Sequence, residues 1–123
     1  MKISFSEEAF KDYEYWQKQD RKTLKRINEL IKDCVRNPFD GIGKAEPLKG
    51  DLSGFWSRRI DQEHRLVYTI EEDEIIIFAC RYHYTKWFLS TCDNVKTSVH
   101  WQKNKTNIIK AFKYFVNNIQ INH

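Results

Sequence analysis

A chain of 123 residues, 41% hydrophobic and 31% charged, has room for one modest core and is too rich in apolar residues to be disordered. Its longest apolar run, residues 75–80, is far too short for a membrane-spanning helix, and the N-terminus turns acidic at Glu7-Glu8 without a signal-like apolar stretch; a cytoplasmic protein with no membrane role is expected. The net charge of +4 resides in residues 85–123, where six lysines face the single acid Asp93, whereas residues 1–84 are close to neutral.

Lys2-Ile3-Ser4-Phe5 alternates and predicts a short first strand. Ser6 follows as a helix N-cap, with Glu7 and Glu8 favoured in the first turn by the helix dipole. Ala9, Phe10, Tyr13 and Trp16 recur at helical spacing to about residue 18. Asp20 caps a second helix over residues 21–36, whose apolar face is Leu24, Ile27, Leu30, Ile31, Cys34 and Val35. Asn37-Pro38 stops it, because a residue before proline avoids helical dihedrals.

Residues 40–50 hold three of the four glycines and one of the two prolines, and read as a loop or an irregular strand edge. Three strand-like segments come next, at residues 54–60, 65–70 and 75–84, separated by short polar turns that imply an antiparallel meander. Two helices followed by a meander predict an α+β fold with the helices packed on one face of an antiparallel sheet. Residues 85–123 differ in composition and form a separate C-terminal extension. Within it Ile108, Ile109, Phe112, Phe115, Val116 and Ile119 could line one face of a short amphipathic helix.

The chemistry-bearing residues are few. Cys34, Cys80 and Cys92 form no CxxC pair, and His64, His83, His100 and His123 show no metal-ligand spacing. Neither a metal site nor a cofactor is expected, and the cysteines read as small buried hydrophobes. RNA cleavage, by contrast, needs only groups that this chain has, since RNA carries its own nucleophile in the 2′-OH. It requires a base for that hydroxyl, an acid for the leaving 5′-oxygen, and cations for the transition state. Glu46 is a candidate base, in a proline-stiffened loop between Lys44 and Lys49, whose charges favour the carboxylate. His83 is a candidate acid, within an Arg81-Tyr82-His83-Tyr84 cluster that mixes cations with stacking aromatics. Arg59 and Arg65 would meet across a hairpin as phosphate donors.

Each residue also has an ordinary structural reading. Glu46 could be a solvated loop carboxylate and His83 a surface histidine. Arg58, Arg59 and Arg65 could be solvated edge-strand charges, and the aromatic residues plain packing groups. If residues 1–84 bind RNA, their near-neutral total requires cations gathered on one face.

Taken in order, KRINELIKD (residues 25–33), GIGKAEPLKG (41–50), LSGFWSRRI (52–60), EHRLVY (63–68) and CRYHY (80–84) resemble the YoeB/Txe toxins of the RelE-like superfamily, collinearly over essentially all of residues 1–84. The resemblance implies a RelE/ParE-like toxin domain at residues 1–84 and says nothing about residues 85–123. It implies a toxin–antitoxin role and ribosome-dependent cleavage of mRNA in the A site, without a metal. Glu46 falls on the family's base, His83 on its acid, and Arg59 and Arg65 on its phosphate-contacting arginines; Lys49 assists, Tyr84 is the terminal aromatic, and Arg81 joins the RNA-binding set. The expected partners are mRNA, a cognate antitoxin and a second copy in a homodimer. Two other readings are a binding module that does not cleave RNA, and a toxin silenced by its extension that sequesters antitoxin.

Overall fold

The computed structural model describes residues 1–84, 86 and 120–122. The elements run β1 (Lys2–Phe5), α1 (Glu7–Gln19), α2 (Arg21–Arg36), β2 (Glu46–Pro47), a single 3₁₀ turn (Gly50–Leu52), β3 (Trp56–Arg59), β4 (Arg65–Glu71), β5 (Glu74–Ala79) and β6 (Gln120–Asn122). Both helices begin where the caps predict. The Ser6 hydroxyl accepts from the Ala9 amide at 3.1 Å, and Asp20 accepts from the amides of Lys22 and Thr23. Asp20 also ends α1, its amide donating to the Trp16 carbonyl at 3.0 Å, so one residue makes the turn between the two helices, which pack side by side.

The strands form a single sheet in the order β2-β3-β4-β5-β1-β6. The meander β3–β4–β5 is antiparallel, as the short polar turns require. β1 joins it parallel to β5, with Ile3 opposite Ile75 and Phe5 opposite Ile77, so the sheet is mixed. The reason is the long α1–α2 connection, which lets β1 and the meander enter the sheet from the same end. β6 pairs antiparallel with the free side of β1. The helix predicted within the extension, and Cys92, lie outside the described residues.

A core lies on each face of the sheet. On one face Ile3, Phe5, Ile75 and Ile77 meet Ala9, Trp16, Ile27, Leu30 and Cys34 from the helices. On the other, Leu48, Leu52, Phe55, Val67, Ile76, Phe78 and Ala79 form a smaller cluster to which neither α1 nor α2 contributes. Cys34 and Cys80 are buried free thiols, and burial raises the pKa of both. Arg58 is also fully buried, rather than a solvated edge-strand charge.

Candidate active site

The candidate residues gather on the sheet face opposite the helices. Pairing places Glu46 across from Ser57, Ser57 across from Val67, and Val67 across from Ala79, a row spanning four strands. Residues directly opposite each other point to the same face, so Glu46 shares the face of Val67 and the smaller core. One step along, Arg59 lies opposite Arg65. Two like charges at directly opposed positions destabilise a sheet. Among the described residues no carboxylate forms an ion pair with either arginine. An anion brought to this row therefore relieves repulsion as well as gaining two cations.

Arg65 is held by the chain around it. Its Nη1 donates to the carbonyls of Asp61 at 2.8 Å and His64 at 3.0 Å, which fixes the guanidinium against the β3–β4 turn. Glu46 is exposed at the sheet edge, with Lys44 Nζ 3.7 Å from its Oε1. Lys49 is exposed just before the 3₁₀ turn.

His83 stands beyond the end of β5 rather than on a strand. A register shift at Val67/Tyr68 changes the alternation of β5, so that Ala79 joins the smaller core while Cys80 turns to the helix-side core. The Cys80 peptide is then held at both ends, its amide by Asp12 Oδ2 at 3.1 Å and its carbonyl by Trp16 Nε1 at 2.8 Å. Tyr82 follows with φ +66°, its amide donating to His64 Nδ1 at 2.7 Å and its carbonyl accepting from the Arg65 amide at 2.9 Å. These bonds terminate the strand and set the direction of His83. The His83 and Tyr84 ring centroids are 3.9 Å apart, and Tyr84 packs against the smaller core. Burial, and then the charge of Arg65, push the His83 imidazole below its ordinary value.

Arg81 goes elsewhere. Its guanidinium stacks 3.5 Å from the Tyr15 ring centroid on α1 and 4.5 Å from that of Tyr82, on the helix side. The fold thus brings Glu46, Arg59, Arg65, His83 and Tyr84 to one face, with Lys49 on the adjoining loop, and separates Arg81 from them. Sequence reasoning missed the supporting residues Asp12, Trp16, Arg58 and His64. Their roles depend on the non-local register shift and on which sheet face the helices cover. Among the described residues no group of three or more His, Cys, Asp or Glu side chains is arranged to hold a metal ion. No helix among the described residues is long and apolar enough to cross a membrane.

A family model described as YoeB-like toxin of bacterial type II toxin-antitoxin system matches residues 5–84. Toxin YoeB of Escherichia coli (strain K12) is 62% identical over 84 residues, which is 68% of this chain and all of that protein. Among solved structures, the heterotetrameric YoeB-YefM toxin-antitoxin complex from Staphylococcus aureus aligns with a TM-score of 0.63 at 54% identity, over 67% of this chain and 95% of that one. The YoeB dimer from Staphylococcus aureus aligns with a TM-score of 0.65 at 53% identity, over 68% of this chain and 98% of that one. On sequence and on fold alike, this chain belongs to the YoeB-like toxins of bacterial type II toxin-antitoxin systems.

Proposed function

We propose that this toxin is a ribosome-dependent endoribonuclease that cleaves mRNA in the A site by acid–base catalysis. The observation that carries this reading is the shared sheet face: a carboxylate, an imidazole, two opposed arginines and an aromatic ring, on the surface opposite α1 and α2. Glu46 takes the proton from the 2′-OH, whose oxygen attacks the adjacent phosphorus. The P–O5′ bond breaks, and the departing 5′-oxygen takes its proton from His83. Arg59 and Arg65 hold the non-bridging oxygens, where negative charge accumulates in the transition state. Tyr84 offers a stacking surface for a base, and Lys49 neutralises a neighbouring phosphate. Arg81 contributes through its charge from the helix side. The mechanism employs no cofactor and no metal-bound water.

The ribosome, and hence the cytoplasm, is the proposed place of action. Residues 1–84 form the toxin domain and residues 85–123 an appended extension. A cognate antitoxin is the proposed partner, by analogy with the Staphylococcus aureus YoeB-YefM complex, and self-association by analogy with the Staphylococcus aureus YoeB dimer. An acidic antitoxin segment laid over Arg59 and Arg65 would supply an anion that this row does not find among the described residues.

The test is cleavage of a translated mRNA by purified toxin. Glu46→Gln and His83→Ala should each lower the rate about a hundredfold or more, with the circular dichroism spectrum unchanged. Full activity of either folded variant would remove that residue from the mechanism.

A further inference from the structure

We infer that Arg58 is a positioning residue for the candidate base: its buried guanidinium is the hub around which the segment leading into Glu46 is wound. The inference rests on the reading of Glu46 as base. Arg58 points to the helix side of the sheet, opposite to its neighbours Ser57 and Arg59, and is fully buried. Its Nη1 forms an ion pair with Asp33 Oδ2 on α2 at 2.5 Å and donates to the Ile42 carbonyl at 3.1 Å. Its Nη2 donates to the carbonyls of Asn37 and, at 2.8 Å, Asp40. Nε donates to the Tyr68 hydroxyl at 3.1 Å, which in turn donates to the Pro38 carbonyl at 2.7 Å. Asp33 closes the ring by accepting from the Ile42 amide at 3.0 Å.

The carbonyls of residues 37, 38, 40 and 42 are therefore tied, directly or through one hydroxyl, to a single side chain. A buried guanidinium left without those acceptors would be severely penalised, so the loop conformation and the arginine stabilise each other. Two glycines permit the winding. A Cβ on Gly41, at φ +117°, would collide with Asp33 Oδ2, and one on Gly43, at φ +78°, would lie 2.6 Å from Leu30 Cδ2. The last turn of the loop is sealed by the Arg59 amide donating to the Gly43 carbonyl at 2.6 Å. Three residues later Glu46 enters β2 opposite Ser57, the residue that precedes Arg58. Arg58 touches neither the reacting atoms nor the proposed RNA face. It acts by setting where β2 starts, and a base displaced by about 1 Å can lose on the order of a hundredfold in rate.

Lysine cannot reproduce five directed donors, so Arg58→Lys keeps the charge and loosens the loop. Tyr68→Phe removes the hydroxyl that joins Arg58 Nε to the Pro38 carbonyl, leaves the guanidinium's other partners in place, and serves as the milder variant. Each is combined with Glu46→Gln, and kcat and KM are measured for mRNA cleavage on ribosomes, with folding followed by circular dichroism. We expect Arg58→Lys to lower kcat about 10- to 100-fold and Tyr68→Phe about 3- to 10-fold, both with KM nearly unchanged. In the Glu46→Gln background each should cost less than about threefold, because a base already absent cannot be misplaced. Equal losses in both backgrounds, or full activity of folded Arg58→Lys, would overturn the inference. Should Arg58→Lys fail to fold, the Tyr68→Phe cycle decides by the same criterion. A fully active Glu46→Gln would instead overturn the assignment of the base, and the positioning role with it.

Discussion

The His83 imidazole has to arrive protonated to serve as an acid, yet burial and Arg65 both favour its neutral form. A lowered pKa means that its protonated fraction falls about tenfold per pH unit above that value. With chemistry limiting, single-turnover cleavage should therefore decline steadily from about pH 7 to pH 8. Arg65→Gln removes one of the two causes, so NMR titration of the free toxin should show the His83 pKa rising in that variant. An unchanged titration would mean that Arg65 does not act on His83 through its charge. Parity in the sequence put Arg59 and Arg65 on neighbouring strands, and they do face each other. Arg58, which could have been a solvated edge-strand charge, instead turns to the face covered by α2, and nothing local in the sequence showed this. A salt-bridge partner 25 positions away in the chain, Asp33, is what makes a buried arginine tolerable there.

Helix α1 does more than cover the sheet. Its Asp12 and Trp16 grip the Cys80 peptide, so the helix sets the segment that ends in His83. The cost is a crowded pair of carboxylates. Burial, with mutual repulsion between Glu8 and Asp12, raises Glu8 to about 7; burial raises Asp12 to about 6 despite the Cys80 amide and the nearby Arg81 charge. Among the described residues Glu8 Oε2 has no hydrogen-bond partner. Because both pKa values lie above those of the unfolded chain, their stabilising contribution is complete below about pH 4 and is lost as the pH rises through 6 and 7. Asp33 runs the other way. Burial alone would raise it, but the hydrogen bonds from Arg58 and Ile42 hold it below the usual carboxylate range, so its contribution is lost only as the pH falls through that lowered value. The domain should thus lose about 2 kcal/mol between pH 5 and pH 8, and Glu8→Gln should remove much of that slope in urea-unfolding experiments. A flat profile in the unsubstituted protein would contradict the burial of this pair. The caps Ser6 and Asp20 made both helices legible in the sequence, since capping is local. The parallel β1–β5 pairing and the register shift beside Tyr68 were not, because both depend on contacts between distant segments.

At the scale of the whole molecule, the proposed RNA surface lies toward the β2 side of the sheet, and β6 pairs at the opposite edge, against β1. The extension nevertheless starts at the site, because the chain continues directly from Tyr84 into Thr85-Lys86-Trp87-Phe88-Leu89. From the sequence, the bulky residues that follow Tyr84 are expected to compete for space with RNA, and the lysines further along to add only diffuse attraction, which cannot position a scissile phosphate. Ending the chain at Tyr84 should therefore raise ribosome-dependent cleavage. Equal or lower activity of the truncated, folded chain would give the extension a neutral or supporting role. Antitoxin binding should weaken with added salt and on removing the charges of Arg59 and Arg65, since it draws on the same unpaired row. The central claim, attack by the 2′-OH between a base and an acid, is tested most directly by the chemistry of the cut ends. Cleavage of mRNA on purified ribosomes should leave a 5′-hydroxyl on one fragment and a 2′,3′-cyclic phosphate, or the 3′-phosphate it hydrolyses to, on the other. Fragments carrying a 5′-phosphate and a free 3′-hydroxyl would mean that water, not the 2′-OH, is the nucleophile, and would contradict the mechanism.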